Sequence, residues 1–291
     1  RHYGIRTMTI RIVTDSACDL PQHLIAQHKI VVVPLTIRFG ETDYIDGEDF
    51  TPKEFWAKCT ASPVLPETAA PSPGQFEAAY RRLQSEGATG VLVVSLSSGV
   101  SATMQSAEIA ARLVGEDTAN PFSVQVVDSR SVSMGQGIIA TSCAIKAEQG
   151  ASLSEVAALA TALSHRVHVY GALDTLENLK KGGRIGGVKG MLASALSIKP
   201  IIDVRGGKVE EGGRQRTRSK ALAFLLEKVK EHGNITDLAV LHAECADIDA
   251  FIAQYDRTDD RRSAIRSKRR RGGRLTECER RPAYQAQKTP A

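Results

Sequence analysis

The chain of 291 residues is poor in cysteine, and its five cysteines follow no pattern. Cys18, Cys59, Cys143, Cys245 and Cys278 are widely spaced, with no C-x-x-C pair. An odd, dispersed set excludes a disulfide framework and suits a reducing compartment, so a cytoplasmic location is expected. No apolar run approaches the roughly 18 residues that a membrane span needs, so no integral membrane segment is expected. The amino terminus has no apolar h-region of a signal peptide, and Arg1 to Thr7 read as lying upstream of the natural start. Catalytic signatures are also missing. Gly99-Val100-Ser101-Ala102-Thr103 misses the G-x-S-x-G elbow at its last position. Lys180 to Gly190 is glycine-rich and basic but holds neither a Walker lysine nor G-x-G-x-x-G. His165 and His168 stand three apart with no acidic or thiol partner nearby, so no metal site and no cofactor are expected.

The net charge of +5 is concentrated at one end. Residues 256–291 carry twelve Lys/Arg against five Asp/Glu, leaving 26 against 28 in the rest. The body is slightly acidic, which gives no reason to expect a nucleic-acid partner. From Arg257 onward apolar periodicity stops, so 256–291 is expected to be a basic tail, disordered or frame-shifted.

What is present is a chain of alternating strand and helix signals, and 42% apolar residues suffice for a large core. Ile10–Thr14, Gly90–Val94 and Val124–Asp128 read as buried strands. Ile30–Phe39 is a further strand, bent or edge-exposed at Pro34. Thr51-Pro52-Lys53-Glu54 is a capping box with Phe50 and Phe55 as its hydrophobic staple. Ser72-Pro73-Gly74-Gln75 and Ser152-Leu153-Ser154-Glu155 open two more helices. This order predicts a parallel α/β domain over 8–165. Beyond it, Ile198–Val204 and Lys208–Glu211 flank an Arg205-Gly206-Gly207 hairpin turn, and a helix over Ser219–His232 and a strand over Asp237–His242 follow. These predict a mixed α/β domain over 166–255.

Ser95–Ala107 (SLSSGVSATMQSA) stands out, with four serines and a threonine within nine residues after a parallel strand. Open α/β sheets place ligands at such strand-to-helix turns, and N–H groups at a helix start favour an anion. Serine capping alone would need one hydroxyl. Uncharged donors at Ser98 and Ser101, with Thr68 on the Pro-rich loop Ser62–Pro71 and Arg184 on the glycine-rich stretch, suit a carboxylate or phosphate. A nucleophilic Ser101, as in an enzyme acting on a small acyl or phosphorylated substrate, would need an adjacent base.

Four motifs in order resemble the DegV family of bacterial fatty-acid-binding proteins. They are Thr14-Asp15-Ser16-Ala17-Cys18-Asp19-Leu20-Pro21, Thr68-Ala69-Ala70-Pro71-Ser72-Pro73-Gly74-Gln75-Phe76, Ser97-Ser98-Gly99-Val100-Ser101-Ala102-Thr103 and Asp174-Thr175-Leu176-Glu177-Asn178-Leu179-Lys180-Lys181-Gly182-Gly183-Arg184-Ile185. The resemblance implies two α/β domains with a long-chain fatty acid between them, its acyl chain in an apolar tunnel. It implies a carboxylate held by Thr68 and Ser101, with Ser98 as a further candidate. It also implies an interface role for Arg184 toward a fatty acid kinase, which makes the acyl phosphate used in lipid metabolism. No catalytic residue is implied in the carrier itself. The family's closing Gly-Pro…His…Gly-Pro-Gly segment has no counterpart after His242.

Overall fold

The computed structural model describes residues 9–194, 197–258 and 274–279. Its first half is built on four parallel strands in the order β2-β1-β6-β7. These are β1 (Ile10–Asp15), β2 (Val31–Val33), β6 (Gly90–Ser95) and β7 (Val124–Asp128). Every residue of β6 is buried, as both faces of a central parallel strand are covered. Leu92 and Val94 enter one core with α5 (Met134–Glu148) and α6 (Leu153–Ser164). Val91 and Val93 enter the opposite core with α3 (Pro73–Ser85) and α4 (Thr103–Glu116). This two-residue alternation is the strand period.

The three capping boxes form at α2 (Pro52–Ala61), α3 and α6, each with the side chain and the N3 residue bonded reciprocally. Phe50 and Phe55 meet at 5.7 Å between ring centroids, completing the staple on α2. The apolar run Ile30–Phe39 differs from expectation. It breaks at Pro34 into β2, in the parallel sheet, and β3 (Thr36–Phe39), in another. Proline has no N–H for a ladder, and the next amide, Leu35, donates to Ser16 Oγ at 3.0 Å. β3 lies between β4 (Thr42–Ile45) and β5 (Glu67–Ala69), antiparallel to both. Phe55 and Trp56 of α2 pack beneath this small sheet with Ile37 and Phe39.

The second half is a different sheet. β8 (Val169–Ala172), β9 (Lys199–Arg205) and β10 (Lys208–Gln215) run antiparallel in the order β10-β9-β8. Gly206 and Gly207 make the tight turn with φ of 58° and 82°, which only glycine adopts without strain. α7 (Glu177–Lys181) and α8 (Arg218–Glu231) flank the sheet. Gly186–Ser194 forms a 3-10 helix. β11 (Asp237–His242) packs Ala239 and Leu241 against the core of the first half.

The stretch expected to be a structureless tail differs in two places. α9 (Ile248–Thr258) runs into it, and Arg274–Glu279 is a strand, β12, parallel to β11. Pairing over distance overrides a local composition with no apolar period. The remainder of that tail, and Arg1 to Thr7, lie outside the described residues.

Phe55 is fully buried and touches the rings of Phe39, Phe50 and Trp56. Phe55→Ala is expected to lower the unfolding free energy by about 3–5 kcal/mol, the range for a large core aromatic, read by guanidinium titration. A change below about 1 kcal/mol would mean that the small sheet does not depend on this layer.

Candidate functional site

The Ser95–Ala107 stretch folds as a tight turn, and α4 starts inside it at Thr103. Ser97 is its hub. Its carbonyl accepts from the Val100 and Ser101 amides at 3.1 and 3.2 Å. Its buried hydroxyl donates to the Gly207 carbonyl of the β9–β10 hairpin at 2.6 Å. The halves of the chain approach so closely here because neither backbone carries a side chain. A Cβ on Gly99 would lie 2.5 Å from Gly207 O, and one on Gly207 would lie 2.6 Å from Ser97 Oγ.

The predicted site residues fall into different situations. Ser101 is half-buried; its Oγ accepts from the Thr103 amide at 3.2 Å and shares a hydrogen bond with Thr103 Oγ1 at 2.9 Å. Either hydroxyl of that pair can donate, and when Thr103 does, the Ser101 proton is free for another acceptor. Ser98 is exposed and donates its hydroxyl to Asp128 Oδ2 at 2.5 Å. That proton is spent on an anion, which leaves Ser98 only lone pairs to offer. Arg184 reaches across from the second half, its Nε donating to the Val100 carbonyl at 3.2 Å. Thr68 is not on a loop as its surroundings suggested. It lies half-buried on β5, paired opposite Ile37 of β3, and takes no part in the turn's hydrogen-bond network. The structure thus places Ser98 and Ser101 on one turn, which Arg184 reaches from the second half, and Thr68 on a separate sheet.

The amides at the turn are largely engaged already. Leu96 donates to Asp15 Oδ2 at 2.8 Å, and Gly99 donates to Ser97 Oγ at 3.2 Å. The N-cap of α4, Ala102, makes no side-chain hydrogen bond to the helix. The glycine-rich stretch is no phosphate cradle: the amides of Gly182, Gly183 and Arg184 turn back to Asn178, Lys180 and Leu179 carbonyls, closing the end of α7.

Sequence reasoning passed over Asp15, which is fully buried beneath this turn. Its carboxylate accepts from the Leu96 and Ala17 amides and from Gln136 Nε2. Burial raises its pKa to about 6, against the opposing pull of those hydrogen bonds. The TDS motif was the visible signal, but nothing local shows that this Asp is covered.

A cavity of about 1240 Å³ opens between the two halves, lined by Trp56, Val132 and Met134 from the first and Val169, Leu173 and Leu225 from the second. That exceeds the roughly 300–1,000 Å³ of an ordinary small-molecule pocket. Trp56, Val132 and Val169 also belong to an apolar cluster with Leu96, Val100 and Ile37, the partner of Thr68. The hydroxyl turn and the cavity therefore lie against one apolar layer. At the cavity wall His168 stacks on His232 at 4.1 Å, and Tyr170 Oη and His232 Nε2 share a hydrogen bond at 3.1 Å. Among the described residues no cluster of His, Cys, Asp or Glu has the arrangement of a metal site. None of the helices among them is long and apolar enough to cross a membrane.

These features define a two-part α/β protein with a hydroxyl-lined turn at the joint and an apolar cavity between the parts. The model of the family described as "Uncharacterised protein, DegV family" matches residues 9–267, and the chain belongs to the DegV family. A DegV domain-containing protein of Streptomyces coelicolor is 34% identical over 255 residues, 87% of each chain. The fold is similar to that of a fatty-acid-binding DegV family protein from Thermus thermophilus, with a TM-score of 0.80, 31% identity, and 97% and 96% of the two chains covered. It is also similar to a stearic acid-binding protein from Eubacterium ventriosum, with a TM-score of 0.78, 28% identity, and 86% and 88% covered.

Two outcomes follow from this geometry. Gly99→Ala is expected to cost about 1–3 kcal/mol, as overpacking does, because backbone and not a flexible side chain must yield; urea titration reads it. For Asp15, a raised native pKa means that the folded chain holds the proton more tightly than the unfolded one. Its contribution is fully present below pH 3.8 and is lost as pH rises through about 6. Relative to Asp15→Asn, the unfolding free energy should fall by about 2 kcal/mol between pH 4 and pH 7. Parallel profiles for the two proteins would contradict a buried, titrating Asp15.

Proposed function

We propose that this protein binds a long-chain fatty acid and presents its carboxylate to a fatty acid kinase, which forms the acyl phosphate. Thr68 and Ser101 hold the carboxylate, and the acyl chain passes the shared apolar layer into the cavity between the halves. The observation that carries this reading is the large cavity that lies against the same apolar cluster as the serine-rich turn. Solved relatives that bind fatty acids support it. Ser98 shapes the turn through Asp128 and does not bind the ligand, since an ionised carboxylate requires a donor.

Magnitudes assign the roles. Burying about 14 to 16 methylenes contributes roughly 11–13 kcal/mol gross, at about 0.8 each. A hydrogen bond to a charged group adds about 1.5–3 kcal/mol. The apolar wall supplies affinity, and the hydroxyls supply orientation. A carboxylate near pKa 4.3 stays ionised at neutral pH, so its oxygen remains nucleophilic toward ATP on the kinase. The Arg184 bond to Val100 places a cation beside the same turn, where a partner enzyme would meet it. The alternative, an enzyme with Ser101 as nucleophile, has no base hydrogen-bonded to it among the described residues: the partners of Ser101 Oγ there are the hydroxyl and amide of Thr103.

Organic extraction of the purified protein followed by mass spectrometry should release a fatty acid; none found, and none taken up on incubation, would refute the reading. Ser101→Ala should weaken fatty-acid binding by at most about 3 kcal/mol and reduce acyl-phosphate formation by the kinase more than binding. Equal loss of both would mean that Ser101 contributes affinity and not orientation.

A further inference from the structure

Asp15 lies where an open α/β sheet usually receives its ligand. In the order β2-β1-β6-β7 the chain leaves β1 in one direction and β6 in the other, so the switch point lies beyond the carboxyl ends of β1 and β6. The donors that such a crevice offers are the amides of Ala17 and Leu96, and both point at Asp15. Gln136 of α5 adds a third, and the same amide group also donates to Thr14 Oγ1 at 2.9 Å.

Every one of these partners is a donor. The ionised carboxylate satisfies all of them, whereas a protonated Asp15 must set its own O–H against one of them. One of these bonds leads to the ligand turn, since Leu96, which shares Oδ2 with Gln136, directly precedes Ser97. Ser97 in turn holds the Val100 and Ser101 amides and the Gly207 carbonyl. A buried charge at this place costs stability at neutral pH, a cost that an apolar residue would avoid.

We infer that Asp15 is a positioning residue: its carboxylate holds Leu96, and through it the Ser97–Ser101 turn, in the form that receives the ligand, and its protonation releases that turn. This rests on the proposed reading of the turn as the carboxylate site. The surroundings isolate the switch. β2 and β6 bring no ionisable side chain to Asp15. Its own turn carries Cys18 and Asp19, with Asp19 accepting from Ser133 Oγ at 2.5 Å. α5 carries Cys143, Lys146 and Glu148 at least seven residues from Gln136, about 10 Å or more along the helix. Asp128, at the end of β7, is engaged by Ser98 and by the Arg130 amide.

The test is a pH titration of the ¹⁵N-labelled full chain by NMR, with binding of tetradecanoate measured at about pH 7.5 and pH 5. The Leu96 amide should titrate with a midpoint near 6 in the wild type and not in Asp15→Asn. Gln136→Leu, which removes one donor, should move the midpoint upward. It serves as the second variant if Asp15→Asn does not fold. One pH unit below the midpoint only about a tenth of the molecules keep the ionised form, so wild-type affinity should fall about ten-fold. Asp15→Asn should bind weakly at both pH values, with a ratio near one, which also cancels any titration of the ligand itself. A Leu96 amide that does not respond between pH 5 and 7, or identical affinity ratios in the two proteins, overturns the inference. If tetradecanoate fails to bind at any pH while Leu96 titrates as expected, the fatty-acid reading fails and the Asp15–turn coupling stands.

Discussion

One buried hydrogen bond, from the Ser97 hydroxyl to the Gly207 carbonyl, joins the two halves of the chain at the point where their chemistry meets. Such a bond is worth about 1 kcal/mol net, too little to hold two sheets together. Its importance is geometric. It needs two bare backbones, at Gly99 and Gly207, and it sets the hairpin against the turn closely enough for Arg184 to reach Val100. The apolar cluster of Leu96, Val100, Val132 and Val204, drawn from both halves, then closes beneath it. The hydrogen bond fixes the register of the joint, and the cluster supplies the energy.

The turn contains more hydroxyls than a cap requires, and the structure shows how nearly all of them are used. Ser95 donates to the Leu96 carbonyl, Ser97 to Gly207, Ser98 to Asp128, and Thr103 partners Ser101. In the Ser101–Thr103 pair either hydroxyl can donate, and a donating Thr103 leaves the Ser101 proton available. A serine-rich turn is therefore less a bank of equivalent donors than a scaffold in which several hydroxyls fold the backbone so that one faces outward. A single oriented donor suits a ligand whose affinity comes from elsewhere, as the cavity on the far side of the apolar layer would provide.

Signals carried by neighbouring residues could be read from the sequence. The buried parallel strands, the three capping boxes, the Phe50–Phe55 staple and the Gly206-Gly207 hairpin all depend on residues within a few positions of one another. The features that were not legible depend on distance along the chain. Thr68 becomes a strand residue only because β5 meets β3 some thirty residues earlier, in a segment with no alternation of its own. β12 forms within a basic stretch because β11 offers it an edge. The family motifs located Ser101 and Thr68 without showing that Ser98 is already committed to Asp128 or that Asp15 is covered.

The placement of Asp15 explains why the candidate ligand site lies off the usual position for this sheet. The switch point beyond β1 and β6 is the place where open sheets offer converging amides to an anion. In this chain those amides already hold the protein's own carboxylate. A second anion there would face a like charge in a medium with little water, which is strongly unfavourable. An external carboxylate held at Ser101, as proposed, would lie outside that crevice. The internal carboxylate occupies the primary crevice and holds the Leu96 edge of the turn. Charge at the base of the turn and hydroxyls at its rim are two parts of one arrangement, and neither has a reason for its residue type without the other.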